Sequence, residues 1–387
     1  MQPTRRGAAR LAPLAVFSSL AFSVFAFTGC NHSGADGNPG SETSGVAAGP
    51  DGTAATLTTP KGAALTISQA AFFAQLQNYT PRSAGQAGQA VMQQMLAGLM
   101  SEGLAQDQGA APTDAEVNTE FDNIKLLQSF RLVKPFDQVL ADAGLSPDIF
   151  KETQLKPQLA QLKLLTKGVT VSDADVQAYY NSHKDKPVIS QDPRNPEIGF
   201  TNPARAHIKR IVVGTQADAQ AISKAIAGGQ TFESQVAQSL DKSSPDGDFP
   251  QWVQTDPVPP GQGAQIKVIA ATAAGAVTPP IAFPGTQPGT PPTYWLVKVV
   301  EKKPKEVIAL DQVKGLIRDQ VLQQKVRANP AAADTFKSQL RDFAAASKLS
   351  IAGAQYAGLA QQITHPAPLA PAPAPGGSPF TTLPGKP

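Results

Sequence analysis

Apolar positions recur at helical spacing through the first half of the chain, and each run opens on a recognisable start signal. "Leu65-Thr66-Ile67-Ser68" precedes an apolar run, with Ser68 placed to cap and Ile67 to staple onto Phe72. "Thr113-Asp114-Ala115-Glu116" is a capping box, after which Val117, Phe121 and Ile124 recur on one helix face. "Leu145-Ser146-Pro147" combines a serine cap, a proline at the first helical position and a Leu145/Phe150 staple. "Val171-Ser172-Asp173-Ala174-Asp175" repeats that logic before Tyr179 and Tyr180. Pro157, inside the otherwise helical segment Lys151 to Lys167, conflicts with a straight helix and predicts a kink or split.

From Pro203 the period changes from helical to strand-like. Ala206 to Val213 and Tyr294 to Val300 read as strands, and Asp218 to Ala227 and Phe232 to Leu240 as helices between them. This predicts an α+β unit of about 100 residues, near the ordinary size of one domain. Helix returns over Asp311 to Val326 and Ala332 to Ala346, with Val313, Leu316, Ile317 and Val321 on one stripe.

The two ends are different in kind. Arg5, Arg6 and Arg10 precede an apolar stretch, Leu11 to Phe27, which is the layout of a secretory signal. The only cysteine of the 387 residues, Cys30, follows directly after Thr28 and Gly29. One cysteine cannot form an internal disulfide, and the residues after it offer almost nothing apolar to bury a catalytic thiol. The arrangement resembles the lipobox of bacterial lipoproteins, with Phe27 where leucine is usual. In that family the chain is cut before the cysteine and its sulfur is acylated, so Cys30 would be a membrane tether. An ordinary signal peptide with an incidental cysteine is the other reading. Residues 30–61, rich in Gly, Ser and Thr, read as a flexible linker, and the Pro/Ala-rich 364–387 as an extended, disordered tail.

Removing the leader changes the charge picture. The full chain has 33 Lys and Arg against 30 Asp and Glu; three of the arginines and none of the acids lie in residues 1–29. The mature chain is therefore balanced at 30 of each, which argues against a nucleic-acid partner. Four histidines, two of them at positions 32 and 365, make no metal-ligand cluster. No nucleophile elbow or phosphate-binding glycine loop is present, and no cofactor is expected. Met92, Met95 and Met100 are the only methionines after the leader and share one helix. They read either as core or as an adaptable apolar surface for unfolded clients.

The order of these parts resembles the SurA/PrsA-type extracytoplasmic foldases over residues 62–352. The wording that carries the resemblance includes "Phe136…Leu140…Gly144-Leu145-Ser146…Phe150", "Ala204-Arg205-Ala206-His207-Ile208", "Ser239-Leu240-Asp241…Gly247-Asp248-Phe249…Trp252" and Ala274 to Ile281. The resemblance implies a helical SurA-N-like chaperone domain, built from residues 62–186 and 304–352 together, with a parvulin-like (PpiC-type rotamase) α+β domain inserted at 203–303. It implies peptidyl-prolyl cis–trans isomerisation, binding of unfolded secreted polypeptides, and attachment to a membrane through the lipid.

The family's site uses two stacked strand histidines, an acid or thiol beside them, and an apolar pocket for the proline ring. Carried over by position, His207 takes the first histidine's place and Asp241 the acid's. The second histidine's place falls on Trp295, which implies weak turnover. Ile266 and Phe249 fall at the pocket, whose Met and Phe are replaced here by "Pro259-Pro260-Gly261-Gln262-Gly263-Ala264-Gln265-Ile266". A non-catalytic envelope lipoprotein that binds a ligand or scaffolds the cell surface is the competing class.

Overall fold

The computed structural model describes residues 52–78, 87–188, 198–242, 244–258, 263–285 and 290–365. Cys30, the leader, most of the 30–61 segment and the tail beyond residue 365 lie outside them, as do Pro259 to Gln262.

The chain starts with a hairpin, β1 (Thr53–Thr58) and β2 (Ala64–Ser68). This corrects the expected linker. Ala54 and Leu57 are fully buried, so the last part of 30–61 is a core strand whose small Thr and Ala residues hide its alternation. Helix α1 (Gln69–Asn78) follows, and Ser68 Oγ accepts from the Ala71 N–H at 3.1 Å. Then come α2 (Ala87–Asp107), α3 (Asp114–Ser129) and α4 (Phe136–Asp142). The Thr113 capping box is closed in both directions, at 2.7 Å and 3.2 Å. Helix α5 (Pro147–Phe150) runs through one π-turn, 151–155, into α6 (Lys156–Leu165). Pro157 comes directly after that turn, whose wider winding makes room for the proline ring inside the continuous helix. Helix α7 (Asp173–His183), capped by Ser172, ends the first part.

A two-residue strand β3 (Thr201–Asn202) leads into β4 (Ala204–Val213), α8 (Gln216–Ala227), α9 (Phe232–Gln235), β5 (Val253–Asp256), α10 (Gly263–Ala271), β6 (Ile281–Phe283) and β7 (Thr293–Lys303). These strands make an antiparallel sheet in the order β5-β4-β7-β6. Period-two alternation divides its faces. Ala206, Ile208, Val297 and Val299 pack with Ile266 and Ile269 of α10 on one side. Ile211, Val213 and Leu296 pack with Ile222 of α8 and Phe232 of α9 on the other. The second predicted helix is shorter than expected, because a single 3-10 turn, 236–238, ends it and Ser239 turns back along β4.

Strand β8 (Glu306–Val307) pairs with β3, so the entry to and exit from the sheet unit lie side by side. Helices α11 (Leu310–Arg327) and α12 (Pro330–Ala346), strand β9 (Lys348–Ile351) and α13 (Ala357–Thr364) complete the chain. The predicted stripe Val313, Leu316, Ile317 and Val321 is buried against Val176 and Tyr179 of α7. Strand β9 adds to β1, and Phe336, Leu340 and Phe343 of α12 enter the same core as Leu57, Phe72 and Leu96. The fold is thus α+β, with N- and C-terminal helices sharing a core and the sheet unit inserted between them. Among the described residues no helix is long and apolar enough to cross a membrane.

Candidate functional site

The sheet unit brings four groups into one stack. Val212 lies opposite Trp295 in the β4–β7 ladder and Arg210 opposite Val297, which puts Arg210 diagonal to Trp295 on the same face. Two loops are pinned beside them. Phe249 N–H donates to the Ile208 carbonyl at 3.0 Å, and Arg210 N–H to the Gly247 carbonyl at 2.8 Å. Gly247 has φ +75°, and a Cβ there would meet the Arg210 carbonyl oxygen at 3.0 Å, so the close approach demands glycine. On the other side, Leu240 N–H donates to the Val212 carbonyl at 2.7 Å and Val212 N–H to Ser239 Oγ at 3.0 Å. These bonds set Asp241 next to Arg210.

The side chains then layer. Phe283 stacks on Trp295 with centroids 4.0 Å apart. The Arg210 guanidinium lies 4.6 Å from the Trp295 ring and 4.6 Å from the Phe249 ring. Its Nε and Nη2 donate to Asp241 Oδ2 at 3.1 Å and 2.6 Å. Ile266 is buried among the same apolar residues, and Leu240, beside Asp241, is 62% exposed.

His207 is elsewhere. It faces Glu301, six residues further along β7 than Trp295, and stands three residues before Arg210 on β4, roughly 10 Å at about 3.3 Å per residue. Its Nε2 shares a 2.6 Å hydrogen bond with Asp248 Oδ1, not with Asp241, and its ring meets Trp252 edge-on at 6.1 Å. Trp252 itself joins the sheet to the helical part. Its indole N–H donates to the Leu132 carbonyl at 3.0 Å, and Arg205 and Lys303 lie over its ring. The predicted pairing of His207 with Asp241 is therefore not formed. Asp241, Phe249 and Trp295 do come together around Arg210, which carries no motif signal in the sequence, and Ile266 packs with the two rings.

The helical part holds a second candidate. A cleft of about 310 Å³ runs between β2, α2 and the start of α6, lined by Ile67, Met95, Leu99, Glu102 and Lys156 among others. Burial pushes the Glu102 carboxyl up to about 7 against the pull of Lys156, with Glu152 adding to the rise. Lys156 Nζ is 3.8 Å away. Of the three methionines expected to meet clients, Met92 and Met100 are closed in the core at 0% and 2% exposure. They fill space between β1, α2 and α12 and offer nothing to a ligand. Met95 alone reaches the cleft. Among the described residues no group of three or more His, Cys, Asp or Glu could hold a metal.

Residues 171–315 match the family of PPIC-type PPIase domains. A foldase protein PrsA of Clostridium botulinum (strain Loch Maree) is 28% identical over 254 residues, which cover 62% of this chain and 66% of that one. The PrsA of strain Okra is 26% identical over 275 residues, covering 66% and 72%. The chain thus spans about two thirds of the length of these relatives. Among solved structures it is similar to PrsA from Bacillus subtilis, at 20% identity over 74% of this chain and 90% of that one, with a TM-score of 0.22. A SurA-like chaperone from Campylobacter jejuni covers 76% and 98% at 18% identity and a TM-score of 0.29.

Proposed function

We propose that this chain, a SurA/PrsA-type parvulin foldase by the PPIC-type domain it carries and the PrsA relatives it resembles, is an extracytoplasmic protein-folding factor. It holds unfolded secreted or envelope polypeptides and turns their X–Pro bonds in the sheet unit. The observation that carries this reading is the match over residues 171–315, which spans the whole sheet together with the stack of Phe249, Arg210, Trp295 and Phe283.

X–Pro isomerisation is slow because a barrier of about 18–20 kcal/mol separates the isomers, and it takes tens to hundreds of seconds unaided. Catalysis needs no covalent step, only a site that favours the twisted imide over the planar one. Phe249, Ile266, Trp295 and the exposed Leu240 supply an apolar rim for the proline, and Asp241 and Arg210 the polar part. The second histidine's place of the resembled family holds Trp295, and His207, in the first, is bonded to Asp248 rather than to Asp241, so turnover is weak relative to that family.

Clients are held by apolar surface in the helical part, for which the cleft beside Met95 and Leu99 is the candidate. Cys30 carries the lipid that tethers the mature chain to the cell envelope; the signal-like stretch before it and the lone thiol support this. Aggregation of an unfolded client, followed alongside X–Pro exchange in a short peptide, tests the function. Protection that survives 0.15 M salt supports apolar capture, because exposed ionic contacts are screened within about 8 Å there. Absence of both client protection and proline-peptide binding would refute the reading. Cys30→Ser is expected to move the protein from the membrane to the soluble fraction, and unchanged membrane retention would reject the tether.

A further inference from the structure

A guanidinium has five N–H donors in one plane. In Arg210 two of them are spent on a single oxygen of Asp241. The guanidinium carbon lies 4.6 Å from each of the Phe249 and Trp295 rings, and three donors remain beyond the pair with Asp241. The side chain is 20% exposed, and none of its nitrogens is among the buried polar atoms without a partner in the described residues. These donors therefore reach solvent beside the apolar rim. Asp241 already balances the charge, so the group that suits the free edge is a neutral acceptor, not a second anion.

We propose that Arg210, oriented by Asp241 and flanked by the Phe249 and Trp295 rings, is the catalytic hydrogen-bond donor to the rotating X–Pro imide. The inference rests on reading the sheet unit as a prolyl isomerase. In the planar imide the nitrogen lone pair is delocalised into the carbonyl and accepts poorly. A quarter turn localises it on nitrogen, and an N–H aimed there binds the twisted form more strongly than either planar isomer. No bond is made or broken and no proton moves. A fixed donor in a partly dehydrated site is the kind of group that stabilises a transition state without reorganising.

The donor's identity has a pH signature. An imidazole changes charge near pH 6.5, whereas a guanidinium keeps its charge throughout ordinary pH. The carboxylate facing Arg210 is Asp241. Lys209 and Lys298, paired with Asp246 and Glu233, stand at strand positions that alternate to the other face. His207 and Asp248, the residue before Phe249, are bonded to each other rather than to Arg210. Turnover is therefore expected to be level between about pH 5.5 and 8.5.

The test uses the full mature chain and an Ala-Pro tetrapeptide, with cis–trans exchange and peptide binding both read by NMR. Arg210→Gln is expected to lose on the order of a hundredfold in kcat/KM while still binding the peptide. Arg210→Lys keeps the charge but not the flat, stacked edge and is expected to recover less than a tenth of the parent rate. The pH profile of the unaltered protein needs no variant and stands even if these fold poorly. Turnover untouched in Arg210→Gln, or a profile with a midpoint near 6.5, would overturn the role of Arg210 and leave the isomerase reading standing. Peptide bound by the unaltered protein with no turnover would remove the isomerase reading as well and leave only a proline-peptide binder. Failure of the unaltered protein to bind the peptide at all would remove both.

Discussion

Arg210 is held by neighbours of different kinds, and that determines what changing each one does. The two aromatic faces contribute about 0.5–2 kcal/mol apiece, and Asp241 fixes the rotation of the plane. Trp295→His removes one face without creating a histidine pair, since the residue diagonal to it is Arg210. Exchange rates are expected to fall or stay level in that variant, whereas a tenfold rise would show that one imidazole suffices. Asp241→Asn leaves the edge in place but removes the charge that orients it, and an intermediate loss is expected in the same measurement. The proposed pocket members Asp241, Phe249, Ile266 and Trp295 were legible because each stands at a position of the resembled family in the order of the motifs. Arg210 was not. "Ala206-His207-Ile208" carries the family's wording, but wording does not fix which residue of β4 lies across from which residue of β7. Register is set by the partner strand and the core faces, and here it slides His207 past the site to Asp248.

Elements are fitted to each other most tightly where α2 crosses the hairpin and α12. A Cβ at Gly103 would come within 2.8 Å of Phe343 Cζ and 2.9 Å of Leu57 Cδ2. Both neighbours are buried, so Gly103→Val is expected to cost about 1–3 kcal/mol through overpacking, read as a lower urea midpoint at unchanged slope. The α3–α11 contact is of another sort. Asn123 Nδ2 donates to Glu120 Oε2 at 3.1 Å and to Asp319 Oδ2 at 3.2 Å. Burial, and then the neighbouring Glu120, push the Asp319 carboxyl well above the carboxylate range. Glu102, raised to about 7, acts in the same sense. A carboxyl raised in the folded state stabilises fully below its unfolded value, near 4, and that stability is lost as pH climbs through the folded value. The urea midpoint is therefore expected to fall between pH 5 and pH 8.5, and Asp319→Asn to flatten the fall. A midpoint that rises over that interval would contradict the assignment. Helix starts at Ser68, Thr113, Ser146 and Ser172 were readable because caps are local chemistry. The strand at Thr53–Thr58 was not, since its small residues acquire meaning only against β2, β9 and α2.

At the scale of the whole molecule the two ends of the described chain close on each other. Strand β9 zips onto β1, and α12 and α13 complete the core that α1 and α2 begin. Truncation at about residue 305 would strip that core of Phe336, Leu340, Phe343 and Leu359. Amide exchange in α1 and α2 is then expected to speed up by orders of magnitude, and unchanged protection would mean the N-terminal helices stand alone. The sheet unit hangs from this body by the β3–β8 pair and by Trp252, whose indole is bonded to Leu132. The two tryptophans of the chain thus report on different places: Trp252 on the join, Trp295 on the site. Their indole N–H signals, followed by NMR while an X–Pro peptide is titrated into the mature protein, give the most direct test of where prolines bind. A saturable shift of the Trp295 signal is expected, one that a peptide with alanine in place of proline does not produce. A Trp295 signal that stays fixed, or one that moves equally for both peptides, would contradict that expectation.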